Sequence, residues 1–476
     1  MGAVCEYYDE GLGSNITRSY ILSLDERITS IKQEISKYEL KIEKEETANT
    51  NGVNDQPKED LQFMTNSKNG CFIEGNDGLH HYFGPGSVIS FIHIASKMIG
   101  LKSSDETGPV SPEFDTLPRV KIPFDYSILS NDHCKVLISN YLTNIYPVYP
   151  LLSEDFFHFD LMVKNYPTKK LIFILEILLV SAAHIMRQRS DFVPIKMLLH
   201  EKVLSIVKNM VGDCDGDSLL ALTYLAIYES LDPEVGKTIW KTLSFACNTA
   251  EKLHLTSLQN NCSLPGVTVK LVPKQRLLSV LYKMEISTSI TLGRPPSFLL
   301  TRRQIEEYIH DTQLKNELLI EATLFTTLSS IYDNTTDCPI LKLTSLPPTD
   351  PMVYVLSAQL LSHECSECNG QKETFVNNLI LKSMELLEIE NLSLKSYHAI
   401  NYWSCLSNVS IATISLLICK KLWPQLIRDD TELNLSILLG QKLVSLLCSG
   451  WFQGWHVRNF IDLCVDACFP NATAKR

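Results

Sequence analysis

From residue 131 to the end of the chain, apolar residues recur at intervals of three and four, and stretches of strict alternation are nearly absent. One face of a 3.6-residue helix satisfies that spacing and one face of a strand does not, so the periodicity restricts most of the chain to packed helices. Residues 218–231 read as one helix, ended by Asp232-Pro233. Residues 235–253 read as its antiparallel neighbour, with Ile239, Leu243, Ala246, Ala250 and Leu253 on one face and the alanines permitting close approach. Further helices are predicted over 171–187, 274–292, 317–332, 352–363, 374–387, 399–418, 431–447 and 455–467. No segment repeats at a fixed period, which predicts an irregular all-α domain and not a solenoid.

The first 46 residues follow a different rule. Ile21, Leu24, Ile28, Ile31, Ile35, Tyr38 and Ile42 are spaced three and four in strict alternation, a seam narrow enough to meet another helix. With Ile21 at position a, the β-branched residues at Ile28, Ile35 and Ile42 favour a parallel two-stranded coiled coil. In a homodimer Arg27 would face Lys32 and Glu34 would face Glu39, like with like, so both homodimer and heterodimer remain open. Residues 47–81 are rich in Asn, Gly, Lys, Glu and Asp, the composition of a flexible tether. His80 to Ser87 then marks a turn, and Ser87 is placed to cap a helix over residues 88–99.

The net charge of -11 opposes non-specific attraction to phosphate, so any contact with DNA needs a small, locally basic module, and no run of Lys and Arg here is dense enough to be one. The amino terminus has no signal pattern. The longest apolar run, residues 171–183, is interrupted by Glu176 and too short to span a bilayer, so the chain is expected to be intracellular with no membrane partner. Of the 14 cysteines, Cys247, Cys405, Cys419, Cys448 and Cys464 sit singly in apolar helical stretches, where a reduced thiol acts as a small hydrophobe.

Catalytic patterns are weak. His363-Glu364-Cys365-Ser366-Glu367-Cys368 has CxxC spacing beside a histidine, but no second CxxC exists to complete a zinc site. His80-His81 lacks companions at ligand spacing and reads as a surface pair. Asp429-Asp430-Thr431-Glu432-Leu433 fails the paired-aspartate pattern of helical magnesium enzymes at its last position. No nucleophile elbow, phosphate loop or dinucleotide fingerprint appears, so an enzyme is not expected. Gly293-Arg294-Pro295-Pro296 resembles an anion loop, yet Pro295 limits Arg294 to extended backbone, which suits a helix end. Arg294 is expected to pair with a buried carboxylate or with helix carbonyls.

Several of these segments, taken in order, resemble the fungal binuclear zinc-cluster transcription factors. Cys5-Glu6-Tyr7-Tyr8 is similar to the exit from the family's zinc cluster, and Thr17-Arg18-Ser19-Tyr20-Ile21 to its linker. Tyr82-Phe83-Gly84-Pro85-Gly86-Ser87 resembles the element that opens the regulatory region. Tyr146-Pro147-Val148-Tyr149-Pro150 ahead of Phe156, the helix holding Trp240, Ala246 and Ala250, and Arg276 and Tyr282 before Leu292-Gly293-Arg294-Pro295-Pro296 resemble successive segments of its helical domain.

The resemblance implies a division into a cluster remnant (1–15), linker and dimerisation helix (16–46), tether (47–81), opening segment (82–130) and all-α regulatory domain (131–476). It implies nuclear action on RNA polymerase II promoters, with DNA and the transcription machinery as partners, Arg18 as a contact to the DNA backbone and zinc as cofactor. The family's cluster needs six cysteines around two zinc ions, and only Cys5 stands in position here. The chain as written is therefore expected neither to hold zinc nor to read DNA alone. An upstream start that restores the cluster is the expected explanation; the alternatives are a dimerising competitor without a reading head and a helical interaction scaffold.

Overall fold

The computed structural model describes residues 6–9, 14–17, 71–74, 80–84, 86–100, 129–152, 168–210, 212, 215–232, 239–255, 274–309, 312–332, 338–345, 351–363, 369–396, 401–448 and 454–469. The chain divides into two units, Met1–Leu61 and Gln62–Arg476. In the first, β1 (Glu6–Asp9) pairs antiparallel with β2 (Ser14–Thr17), Tyr7 opposite Ile16. Cys5, Arg18 and the seven-residue seam from Ile21 to Ile42 lie outside the described residues.

The second unit begins with another antiparallel hairpin, β3 (Cys71–Glu74) against β4 (His80–Phe83). It lies where a tether and a turn are expected from composition. Strand-forming Cys71-Phe72-Ile73 and Tyr82-Phe83 flank Gly75-Asn76-Asp77-Gly78, a turn-forming run short enough to close a hairpin.

The other described residues of this unit are mostly helical, and the all-α class holds. The helices are α1 (Val88–Ile99), α2 (Asn131–Asn140), α3 (Thr168–Ile185), α4 (Val193–Met210), α5 (Gly216–Leu231) and α6 (Ile239–Lys252). They continue as α7 (Lys274–Leu292), α8 (Arg302–Tyr308), α9 (Thr312–Tyr332), α10 (Pro339–Ser345) and α11 (Pro351–Leu356). Last come α12 (Asn369–Lys395), α13 (Tyr402–Leu422), α14 (Asp430–Leu447) and α15 (Gly454–Cys468).

Caps set many of these boundaries. Ser87 accepts from the Ser90 amide at α1, Asp215 from Ser218 at α5, and Asn401 from Ser404 at α13. Thr301 and Gln304 form a reciprocal capping box at α8. The helix expected over 352–363 is broken: after α11 the Ser357 amide lies 3.2 Å from the Val353 carbonyl and 3.1 Å from that of Tyr354, and the chain tightens into a 3₁₀ turn, Ala358–Ser362.

Two apolar cores form. One gathers α2 to α7, with Tyr141, Phe173, Tyr224, Leu243 and Leu281 buried. The other gathers α1 and α9 to α15 around α13, whose residues are buried on nearly every side. Ile290 of α7 packs against both. By length and composition α13 is the one described helix long and apolar enough to cross a bilayer, a length not evident from residues 171–183; 89% of its apolar window is covered inside the fold, as for a core helix. Cys247, Cys405, Cys419, Cys448 and Cys464 are buried free thiols, as their apolar neighbours suggest.

Candidate functional site

The two glycine-containing segments singled out in the sequence meet. The Gly84 amide donates to the Leu292 carbonyl at 2.9 Å, and the Gly84 carbonyl accepts from the hydroxyls of Ser87 at 2.8 Å and Ser90 at 2.9 Å. Gly293 takes φ 63°, a left-handed value that ends α7 at little cost only for glycine. A Cβ on Gly84 would stand 1.6 Å from the Gly293 oxygen, so backbone occupies the space a side chain needs.

Arg294 leaves this turn with its guanidinium 5.1 Å from the centre of the Trp240 ring, a cation–π contact of about 0.5–1 kcal/mol. A buried carboxylate does reach the segment after the turn: Glu285 of α7 accepts from the Ser297 amide at 2.5 Å. Pro295 separates the two contacts. Burial, and then the Glu285 carboxylate, raise the pKa of the Cys247 thiol, which stays protonated and unreactive.

At the end of α5, Lys196 reaches Asp232 at 2.8 Å with both side chains almost wholly buried. The Tyr228 hydroxyl donates to the same carboxylate oxygen at 3.2 Å. Arg187 donates to the Leu231 carbonyl and lies over the Tyr402 ring, joining elements of the two cores.

A pocket of mixed chemistry lies where the cores meet. A cavity of about 220 Å³ opens between α7, α9, α12, α13 and the turn that follows a π-helical run, Tyr141–Ile145. Its polar lining includes Lys283, Glu321, Glu390, Asn401, Ser404 and Asn408; Val148 and Met284 supply apolar wall. Lys283 is salt-bridged to Glu317 at 3.1 Å. The Asn408 amide donates to Glu390 at 2.8 Å. Burial raises the pKa of the Glu390 carboxyl, partly offset by hydrogen bonds from Asn408 and Cys405.

Ser404 ties two helices together. Its hydroxyl is 2.7 Å from that of Ser287 and 2.9 Å from that of Thr291, both on α7, while Asn401 donates to Ser287 at 3.3 Å. Cys405 is unsuited to nucleophilic attack: burial and then Glu390 push its pKa well above the ordinary thiol range. The lining offers hydrogen-bond donors, acceptors and opposite charges, a set suited to holding a small molecule.

The other predicted residues are scattered. His363 lies 3.6 Å from the Cys338 sulfur, while the rest of its CxxC run is outside the described residues. Asp429 caps α14, accepting from the Thr431 and Glu432 amides, and Asp430 pairs with Lys420 at 2.5 Å, so both carboxylates have structural partners. Among the described residues no three His, Cys, Asp or Glu side chains converge to hold a metal ion, and Cys5 is not among them. Comparison with protein-family models, with curated proteins and with solved structures finds no match.

Proposed function

We propose that this chain is the regulatory portion of a zinc-cluster-type transcription factor, acting in the nucleus on RNA polymerase II promoters. In this reading the seam from Ile21 to Ile42 pairs two copies or two different chains. The helical unit regulates, and DNA is read by a zinc module to which Cys5 belongs. The observation that carries the reading is the contact of Gly84 with Gly293. The segment resembling the opening of the regulatory region and the segment resembling its Leu-Gly-Arg-Pro turn are 209 positions apart, yet they dock backbone to backbone.

Chromatin immunoprecipitation of the protein tagged at its own locus tests this. Enrichment at discrete promoters is expected; uniform background recovery from a nuclear extract containing the protein would contradict it.

A further inference from the structure

Both acidic and basic side chains line the cavity between the cores. Two carboxyl side chains line it, Glu321 from α9 and Glu390 from α12. The amine that also lines it, Lys283, is bridged at 3.1 Å to Glu317, which is not part of the lining. The lining acceptors include the Glu390 carboxyl, the Asn408 side-chain carbonyl and the Ser287 and Ser404 hydroxyls, groups that an ammonium with three donors can address. Val148, Tyr149 and Met284 of the same lining offer surface to an alkyl body. At about 30 Å³ per water, 220 Å³ holds roughly seven waters, or an aliphatic chain of roughly four to six carbons.

We propose that this cavity is a binding site for a small aliphatic amine cation, its ammonium held by Glu390 and Asn408 and its alkyl chain against Val148 and Met284. Several contacts support the assignment. Asn408 donates its amide to Glu390 at 2.8 Å, so the two side chains stand together in the lining. Burial opposes charge on Glu390, and a cation seated against it relieves that opposition. A carboxylate ligand would instead meet the Glu390 carboxyl, with Lys283 already bridged to Glu317. The lining comes from α7, α9, α12 and α13, elements of both apolar cores, so an occupant bridges the two halves of the helical unit. The assignment does not depend on the regulatory reading, because binding is measured on the purified chain without promoter or reporter.

The test is calorimetric titration of the full chain with pentylamine, with 1-pentanol as a neutral match in shape and pentanoate as an anionic one. Saturable binding of pentylamine is expected, with the alcohol and the acid each weaker by ten-fold or more. Glu390→Gln keeps an acceptor for Asn408 and should weaken the amine at least ten-fold. Ser393→Leu, which fills the cavity from its rim, should remove binding with the helical circular dichroism unchanged. Absence of amine binding at tens of millimolar, equal binding of the alcohol, preference for pentanoate, or undiminished affinity in two folded variants would each overturn the site.

Discussion

Gly84 and Gly293 lie so close that neither position has room for a methyl group: the nearest atom to a Cβ on the first is the Gly293 oxygen at 1.6 Å, and to one on the second the Gly84 carbonyl carbon at 2.6 Å. This contact fixes the start of α1 against the end of α7. Through Ile290, it does so beside the junction of the two cores.

Gly293→Ala should therefore destabilise the helical unit by about 2–4 kcal/mol, combining left-handed strain with a backbone clash. Gly100 supplies the control. It has φ 69°, but a methyl group added there would meet no atom within 4 Å, so Gly100→Ala should cost only about 1–2 kcal/mol. Chemical denaturation of the two variants separates strain from crowding; equal losses would remove the close approach as a cause.

Gly440 makes the same demand between helices. A Cβ there would lie 2.1 Å from the Thr413 hydroxyl oxygen, which is held by its bond to the Val409 carbonyl at 2.7 Å. Gly440→Ala should cost about 1–3 kcal/mol despite its gain in helix propensity. Adding Thr413→Ala should recover much of that loss, and a double-mutant cycle with no coupling would show that α13 and α14 do not meet at this point.

These close approaches show what could be read in advance. Ser87 and the Asp232-Pro233 break mark helix limits in the sequence because cap and breaker act through neighbours in the chain. Most of the predicted face of α6 is also observed: Ile239, Leu243, Ala246 and Ala250 are buried, while Leu253 lies just past the helix end and is only partly buried. Helix α4 is harder to recognise because Pro194 stands in its first turn, a position where proline is tolerated but is easily read as a break. The cavity is not legible at all. Lys283, Glu321, Glu390 and Asn408 come from four helices, and no local spacing links them.

Asp232 holds two groups of different chemistry in its buried cluster. It takes the ammonium at 2.8 Å and the Tyr228 hydroxyl at 3.2 Å. Asp232→Asn should cost about 3–5 kcal/mol by leaving a buried ammonium without its counter-charge. Lys196→Met should cost less, since Tyr228 still donates to the carboxylate. Urea titrations giving the reverse order would show that the carboxylate is not the centre of the cluster.

Glu176 gives stability a pH dependence. It is 1% exposed, its oxygens have no hydrogen-bond partner among the described residues, and burial raises its pKa well above 4.5. The folded chain keeps the proton that the unfolded chain releases, so the contribution of this group is fully present below pH 4.5 and is lost as pH rises through the folded-state pKa. Glu176→Gln should raise the thermal midpoint near pH 8 and leave it nearly unchanged near pH 4. An equal shift at both would show that the effect is packing and not protonation.

The regulatory role has one most direct measurement: reporter transcription after the whole chain is fused to an unrelated DNA-binding domain and brought to that domain's promoter. A several-fold change over the DNA-binding domain alone, in either direction, and its loss with Gly293→Ala at equal nuclear abundance, is the predicted result. Output identical to that of the DNA-binding domain alone, from a fusion shown to occupy the promoter, would contradict it.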